Sequence, residues 1–372
     1  MSEQLYFAPG RVNLIGEHLD YNGGKVLPIA ISQGLKAKVV FSGNSVIKIR
    51  SEDFTGELVV DLQTENFSKR DVQWMNYPLG MIQYLLPYIN PEHCGFSAFI
   101  TSDLPAGSGL SSSAAIEVLI ANILLKLDQT QSKADGKFVA QLCKKVENEY
   151  IGVNSGIMDQ FVVAMGKAEH ALLLDCDDLS HQYIPFLPKS HTLLVMNTNK
   201  SRNLTDSKYN ERKEECELAL IEINRHRNNH PISNLSQADF KWLGYIKDGL
   251  LQKRAKHVIT ENYRVHAAVN EIQNGDWFNF GELLFQSHIS LKNNYEVSGF
   301  ELDTLVDLSK QSPGCIGARM TGAGFGGCAI ALVDSNMVWQ FIEKVKPAYD
   351  KATGLSLQII PTQAENGVHL IE

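Results

Sequence analysis

The chain has 372 residues, 44% of them hydrophobic and 20% charged, which is ordinary globular material long enough for roughly two domains. A formal net charge of −8 excludes a broad nucleic-acid-binding face, because such a face needs basic residues to release counterions. Six scattered cysteines with no C-x-x-C spacing, and no secretory leader at Met1-Ser2-Glu3-Gln4, point to reduced thiols in a cytoplasmic protein, while Glu117, Asn122 and Lys126 break up the one run apolar enough to suggest a membrane span.

From the N-terminus, residues 5–31 predict strand, turn, strand: Leu5-Tyr6-Phe7, a turn at Ala8-Pro9-Gly10-Arg11, and Val26 to Ile31. The window between them carries Arg11, Asn13, Glu17, His18, Asp20, Tyr21 and Asn22 among turn glycines. Read plainly, it is a polar loop over a hairpin. Read functionally, it is a polyol site, in which carboxylates accept sugar hydroxyls and Arg11 offers a fixed fork of donors to a phosphoryl group. Alternating runs over 37–41, 47–50 and 58–60 predict an antiparallel sheet, and Trp74 and Tyr77 lead into a helix through Met81 and Leu85.

Phe96, Ala98 and Ile100 fall on one face of the next strand, which runs through Leu104-Pro105-Ala106-Gly107-Ser108-Gly109-Leu110-Ser111-Ser112-Ser113 into an apolar helix ending near Leu127. Strand, glycine loop and helix N-terminus together suit a polyphosphate, since glycines admit the anion and the first helical turn offers unpaired N–H groups. A well-capped turn is the plain alternative. No lysine follows the second glycine, so the G-x-x-x-x-G-K-[ST] pattern fails and a P-loop NTPase is disfavoured. A second helix, Val139 to Tyr150, ends near Gly152, and Asp159, before an apolar run, reads in isolation as a helix cap. Residues 170–198 predict two strands, and the acidic Asp175 to Asp178 with Pro185 to Pro188 mark a boundary between domains 1–185 and 186–372.

Beyond that boundary the pattern becomes helical, with stripes through Tyr209, Cys216, Leu220 and Ile223 and through Val258, Val265, Val269 and Ile272, the latter closed by Gly275. Lys200, Arg202 and Tyr209 are candidates to border a ligand on a face that otherwise reads as solvated. A last segment, Gly317 to Cys328, holds five glycines and runs into an apolar strand, either as a simple hairpin or as a close backbone approach to a ligand.

Three windows, Pro9 to Asn22, Gly107 to Ala115 and Gly317 to Cys328, resemble in order and spacing the three signatures of the GHMP small-molecule kinases, and the first resembles that of the galactokinase family in particular. Gly156 to Phe161, Asn197 to Lys200, Ser207 to Arg212, Tyr295 to Ser298 and Glu301 to Leu305 fit as well. The resemblance implies an α+β fold of two domains, an N-terminal one like domain 2 of ribosomal protein S5 and a ferredoxin-like C-terminal one, with the site in the cleft between. It implies ATP-dependent phosphorylation of the anomeric hydroxyl of α-D-galactose to galactose 1-phosphate, the first kinase step of galactose (Leloir) catabolism. The implied setting is a cytoplasmic monomer whose partners are galactose, ATP and Mg²⁺, with no nucleic acid and no membrane.

Residue by residue, the resemblance implies that Arg11 stabilises the transferring phosphoryl group and that Asp159 faces the attacking sugar oxygen. Glu17, His18, Leu19, Asp20, Gly156 and Tyr209 correspond to the galactose side. Gly107, Ser108, Gly109, Leu110, Ser111, Ser112 and Ser113 correspond to the phosphate loop, Ser113 and Glu147 to Mg²⁺ ligands, and Ser51 and Trp74 to nucleotide-side positions. Phosphoryl transfer through a loose transition state rewards positioning and charge more than proton abstraction, which casts Asp159 as orienter and late proton acceptor. Three departures bear on N-terminal packing and sugar selectivity: a short stretch before Ala8, Leu19 where the family usually has Thr, and Ser155 where Cys is common. A GHMP kinase for another sugar, or a non-enzymatic relative that signals to a transcription partner, are the alternatives. The nearly intact 17–22 window argues against the first, and the unbroken Gly107 to Ala115 loop with Arg11, Glu147 and Asp159 against the second.

Overall fold

A computed structural model describes residues 3–64, 66–105, 107–127, 135–153, 155–200, 205–227 and 230–371; Ala106 of the glycine loop and Arg202 lie outside them. Strand β1 (Glu3–Asn13) is followed by β2 (Lys25–Val26), β3 (Pro28–Phe41), β4 (Val46–Ser51), β5 (Glu57–Asp61), helix α1 (Asn76–Leu85) and β6 (Phe96–Ser102). Helices α2 (Ser112–Leu127), α3 (Gly136–Lys145) and α4 (Met158–Met165) come next, then β7 (His170–Asp175), β8 (His181–Pro185) and β9 (His191–Asn197). The remainder comprises α5 (Thr205–Arg225), α6 (Gly249–Asn274), α7 (Trp277–Ser290), α8 (Phe300–Lys310), β10 (Cys315–Thr321), β11 (Cys328–Asp334), α9 (Val338–Thr353), β12 (Gln358–Thr362) and β13 (His369–Leu370).

The first sheet has the order β13-β1-β3-β6-β4-β5, antiparallel throughout except that β4 runs parallel to β6. Period-two alternation decides which face is covered: Phe96, Ala98 and Ile100 of β6 and Ile47 and Ile49 of β4 are buried under α1, α2 and α3, and the intervening side chains face out. The expected turn at Ala8 to Arg11 does not exist. Strand β1 continues through it, with a register shift between Pro9 and Arg11. Proline has no N–H for the ladder and is tolerated at such a bulge. At Gly10 a Cβ would come within 2.9 Å of the Leu110 carbonyl oxygen, so only glycine lets the strand close on the loop, where the Arg11 N–H donates to that oxygen at 3.1 Å. The bulge therefore delivers Arg11 to the glycine loop.

Helix α3 runs on into a π-helical turn, Val146–Ile151, which ends at Gly152 in left-handed backbone (φ 93°). Residues 170–198 form three strands instead of two, because the acidic stretch after Asp175 is the tight turn of the β7–β8 hairpin, closed by the Asp175 N–H on the Ser180 carbonyl. From β9 onward, β9, α8, β10, β11, α9 and β12 follow a βαββαβ course into an antiparallel sheet of order β10-β11-β9-β12, the ferredoxin-like arrangement. Helix α6 starts where Asp248 caps the N–H groups of Leu250 and Leu251 and stops at left-handed Gly275. One hydrophobic core fills the first sheet; the other joins Val12, Leu14 and Ile15 to Leu194, Met196 and Ile330, so the polar window of residues 13–24 rests on both sheets. Among the described residues no helix is long and apolar enough to cross a membrane.

Candidate active site

A cavity of about 360 Å³ opens where the bulge, the glycine loop, the π-helical turn, the start of α4 and the β10–β11 hairpin meet. Arg11 and Asp159, 148 positions apart, form a bidentate pair in it: Nε donates to Oδ1 at 2.7 Å and Nη2 to Oδ2 at 2.5 Å. The third arm of the guanidinium, Nη1, donates to the Gly109 carbonyl at 2.7 Å. Arg11 is 6% exposed, whereas the Asp159 side chain keeps 29% and is the more open of the two. Bidentate geometry fixes both groups, and a cation beside open space suits charge that develops during a reaction. Asp159 lies in the first turn of α4 without capping it, since its carboxylate is turned to Arg11 and to Ser111, whose Oγ donates to Oδ2 at 2.5 Å.

The glycine loop reaches this pair in left-handed backbone at Gly107 (φ 66°), Gly109 (φ 72°) and Ser111 (φ 67°). The three consecutive hydroxyls at its end diverge. Ser111 turns to Asp159, Ser112 is exposed, and Ser113 Oγ donates to Glu147 Oε1 at 3.2 Å. The other Glu147 oxygen accepts from Gln160 Nε2 at 2.8 Å, and burial raises this carboxyl above its ordinary value. Two hard oxygen donors side by side on a polar cavity fit a divalent cation that keeps water and phosphate oxygens as its remaining ligands. Among the described residues no cluster of three or more His, Cys, Asp or Glu could hold a metal alone.

On the opposite wall the two carboxylates of the polar window do different work. Glu17 is 1% exposed and committed to the fold: Oε2 accepts from Asn13 Nδ2 at 2.9 Å, Oε1 accepts the Gly322 N–H at 2.6 Å, and buried Arg319 stands 3.4 Å away. Arg319 also donates to the carbonyls of Asn13 and Leu14 at 2.9 and 3.0 Å, so the β10–β11 hairpin clamps the window. Behind it, the α6 carboxylate Glu261 accepts the Gly16 N–H and the Ser287 hydroxyl; burial works against its charge, yet Arg264, His257 and Arg319 hold it down at about 2. Both carboxylates line the cavity, and Asp20 is the more open of the two. Burial, Asp159 and Glu17 push its carboxyl up to about 7. Gly156 makes room for it, since a Cβ there would sit 1.6 Å from Asp20 Oδ2.

His18 occupies left-handed backbone (φ 62°) beside the Tyr21 hydroxyl, and burial, assisted by His257, Arg319 and Arg212, keeps its ring neutral. The Tyr209 ring lies 5.9 Å from it and borders the same cavity. Leu19 does not join them: it is fully buried in the core, and its carbonyl closes the turn by accepting from Asn22 and Gly24 N–H. An apolar side chain between polar neighbours turns inward, which removes it from the sugar-side set. Ser51 and Trp74 also stand outside this cavity, with Ser51 Oγ accepting the Asp53 N–H and the Trp74 indole stacked on Phe54 and donating to Thr55 O. Lys200 is engaged with Glu301 at 2.7 Å. Sequence reasoning missed the support Glu261 and the wall residues Tyr77 and Val153, which carry no local pattern that distinguishes them from solvated charge or core; Asn13 and Arg319 lie inside windows it singled out, but their role as supports was not legible there.

Residues 2–39 match the family model of the galactokinase galactose-binding signature, 76–167 that of the GHMP kinases N terminal domain and 268–349 that of the GHMP kinases C terminal. The galactokinase of Clostridium beijerinckii is 41% identical over 372 residues, covering 100% of this chain and 95% of its own length. That of Enterococcus faecalis is 42% identical over 97% of this chain and 94% of its own. Among solved structures, Lactococcus lactis galactokinase complexed with galactose aligns with a TM-score of 0.91 at 40% identity, over 99% of this chain and 95% of that one. The Methanococcus jannaschii mevalonate kinase, at 23% identity and a TM-score of 0.66 over 98% and 99% of the two chains, shares the fold.

Proposed function

The chain belongs to the galactokinases of the GHMP kinase family, and on that footing we propose how its own residues transfer the γ-phosphoryl group of ATP to the anomeric hydroxyl of galactose. The product is galactose 1-phosphate, and the reaction is the opening kinase step of galactose (Leloir) catabolism, run in the cytoplasm. The observation that carries the assignment of roles is the bidentate Arg11–Asp159 pair beneath the Gly107–Ser113 loop.

The loop and the N-terminus of α2 receive the phosphates through backbone N–H groups. Ser113 and Glu147 would hold Mg²⁺, which supplies charge neutralisation on the phosphate oxygens. Arg11, preorganised by Gly109 O and Asp159, meets the negative charge of the transferring group; arginines in that role contribute on the order of 10³–10⁵ in rate. Asp159 accepts a hydrogen bond from the attacking hydroxyl, aligns it, and takes its proton as bond formation completes. Ser111 holds the carboxylate at the angle this requires. Glu17, Asp20, His18, Tyr209 and the backbone at Gly156, all on the cavity wall, receive the remaining hydroxyls of the sugar, and Glu17 also ties the window to the Gly322 N–H. If the chain is divided at 185/186, Arg11, Ser113, Glu147 and Asp159 come from one lobe and Tyr209 and Gly322 from the other, which leaves the reacting atoms in the cleft.

The test is ADP release over galactose, glucose, talose, 2-deoxygalactose and N-acetylgalactosamine at saturating Mg-ATP, with phosphorus NMR of the product. Galactose-dependent turnover with phosphorus coupled to the anomeric proton is expected. Turnover on the acetylated sugar alone would overturn the substrate assignment.

A further inference from the structure

Two consecutive residues in the first turn of α4 serve two different carboxylate sites. Asp159 turns to Arg11 and Ser111, whereas Gln160 is 1% exposed and its Nε2 donates to Glu147 Oε2 at 2.8 Å. The Glu147 backbone is anchored as well, since its carbonyl accepts the N–H groups of Gly152 and Val153 at 2.8 and 2.9 Å where the π-helical turn closes. One carboxylate oxygen and the main chain are thus fixed. The other oxygen, Oε1, lies 3.2 Å from Ser113 Oγ, and Glu147 and Ser113 both line the cavity.

The direction of this amide is settled by its partner. With nitrogen and oxygen exchanged, two acceptors would face each other, so the NH₂ group must point at Glu147. The price is an amide oxygen, Gln160 Oε1, enclosed without a hydrogen-bond partner. A Leu or Met at this buried position would remove that unpaired oxygen and release Glu147 Oε2 instead. What the glutamine adds over an apolar residue is therefore control of one carboxylate oxygen.

We propose that Gln160 is a positioning residue that restricts Glu147 to one-oxygen ligation and thereby sets the site to prefer Mg²⁺ over Ca²⁺. The proposal rests on the kinase reading for the presence of a metal–nucleotide. Adjacent ligands of an octahedron with bonds of about 2.05 Å are about 2.9 Å apart, wider than the two oxygens of one carboxylate, so Mg²⁺ takes a single oxygen. Ca²⁺, with six to eight ligands at about 2.3–2.6 Å, accepts both. A carboxylate with Oε2 tied to an amide meets the demand of the smaller ion and withholds the second oxygen from the larger.

The test is calorimetric titration of MgCl₂ and of CaCl₂ into the full chain saturated with a non-hydrolysable ATP analogue, without sugar, for the parent and for Gln160→Met, which keeps the side-chain volume and lacks the donor. Mg²⁺ affinity should fall about tenfold in the variant while Ca²⁺ affinity holds or rises, so that the ratio of the two dissociation constants moves at least about tenfold toward Ca²⁺. A purely structural role would weaken both ions alike, and an unchanged ratio overturns the proposal. Metal-induced infrared difference spectra of the parent decide the matter if Gln160→Met does not fold, with the Glu147 bands assigned by their loss in Glu147→Gln. A wide separation of the antisymmetric and symmetric carboxylate stretches, the mark of one-oxygen ligation, is expected with either ion; the narrow separation of two-oxygen ligation overturns the proposal. Because both readouts are taken without galactose, failure of the galactose assay alone would sink the substrate reading and leave this measurement standing.

Discussion

Gly156→Ala isolates the contribution of Asp20 with a single methyl group. The added Cβ would fall 1.6 Å from Asp20 Oδ2 and 2.3 Å from its Cγ, so the carboxylate must swing out of the position it holds over the cavity. Overpacking of this kind costs about 1–3 kcal/mol when the neighbour cannot move, and less here because the neighbour is a side chain facing open space. The fold should therefore survive, with a melting midpoint close to the parent's. What is lost is a charge-assisted hydrogen bond to a sugar hydroxyl, about 1.5–3 kcal/mol, or roughly 10- to 100-fold in kcat/KM for galactose. Steady-state ADP release with galactose varied should register that loss while KM for ATP stays within about twofold, as expected for a change on the sugar side alone. In a cycle with Asp20→Ala, the double variant should be no worse than Asp20→Ala, since both changes remove one interaction. A kcat/KM for galactose equal to the parent's, or fully additive losses, would refute the reasoning.

The raised Asp20 carboxyl makes two further outcomes. Its ordinary value of 3.8 rises to about 7 in the fold, through burial first and then Asp159 and Glu17, so kcat/KM for galactose should fall as the pH drops through about 7 while the Asp20→Asn variant lacks that ionisation. The sign for stability is the reverse: below 3.8 both folded and unfolded states hold the proton, and between 3.8 and about 7 the unfolded state releases it first, so this group's contribution is lost as pH rises. Chemical denaturation should accordingly find Asp20→Asn stabilised relative to the parent at pH 8 and not at pH 4; an equal effect at both would contradict the assignment. Glu147→Gln keeps the shape of the Ser113 and Gln160 contacts and removes the charge, so half-saturating Mg²⁺ at fixed ATP should rise at least about tenfold. An unchanged Mg²⁺ requirement would take Glu147 out of the metal site.

Elements with a local cause were legible in the sequence: the β6 alternation, the glycine loop before α2, the Gly152 and Gly275 stops and the helical stripes all follow from periodicity and caps. The Arg11–Asp159 contact was not legible that way, because nothing between residues 11 and 159 encodes their approach; it came from the family resemblance alone. The turn expected at Ala8 to Arg11 failed because Pro and Gly mark bulges as well as turns, and only the closeness of Leu110 decides between them. Glu17 and Leu19 show the other limit. Both sit in a polar window that invites a ligand-binding reading; Glu17 lines the cavity yet is also held by Arg319, more than 300 positions away, and the core claims Leu19. Buried charges such as Arg319 and Glu261 look like solvated residues until their partners are in place.

The most direct test of the account is single-turnover formation of galactose 1-phosphate by Asp159→Asn, with galactose affinity measured alongside by calorimetry. Asn preserves the volume of the side chain, but its NH₂ cannot accept from the guanidinium, so it breaks the bidentate pair with Arg11, accepts no proton and carries no charge. The account predicts a fall in the rate of transfer by at least about 10²-fold with galactose affinity within severalfold of the parent's. A transfer rate within tenfold of the parent's would contradict it.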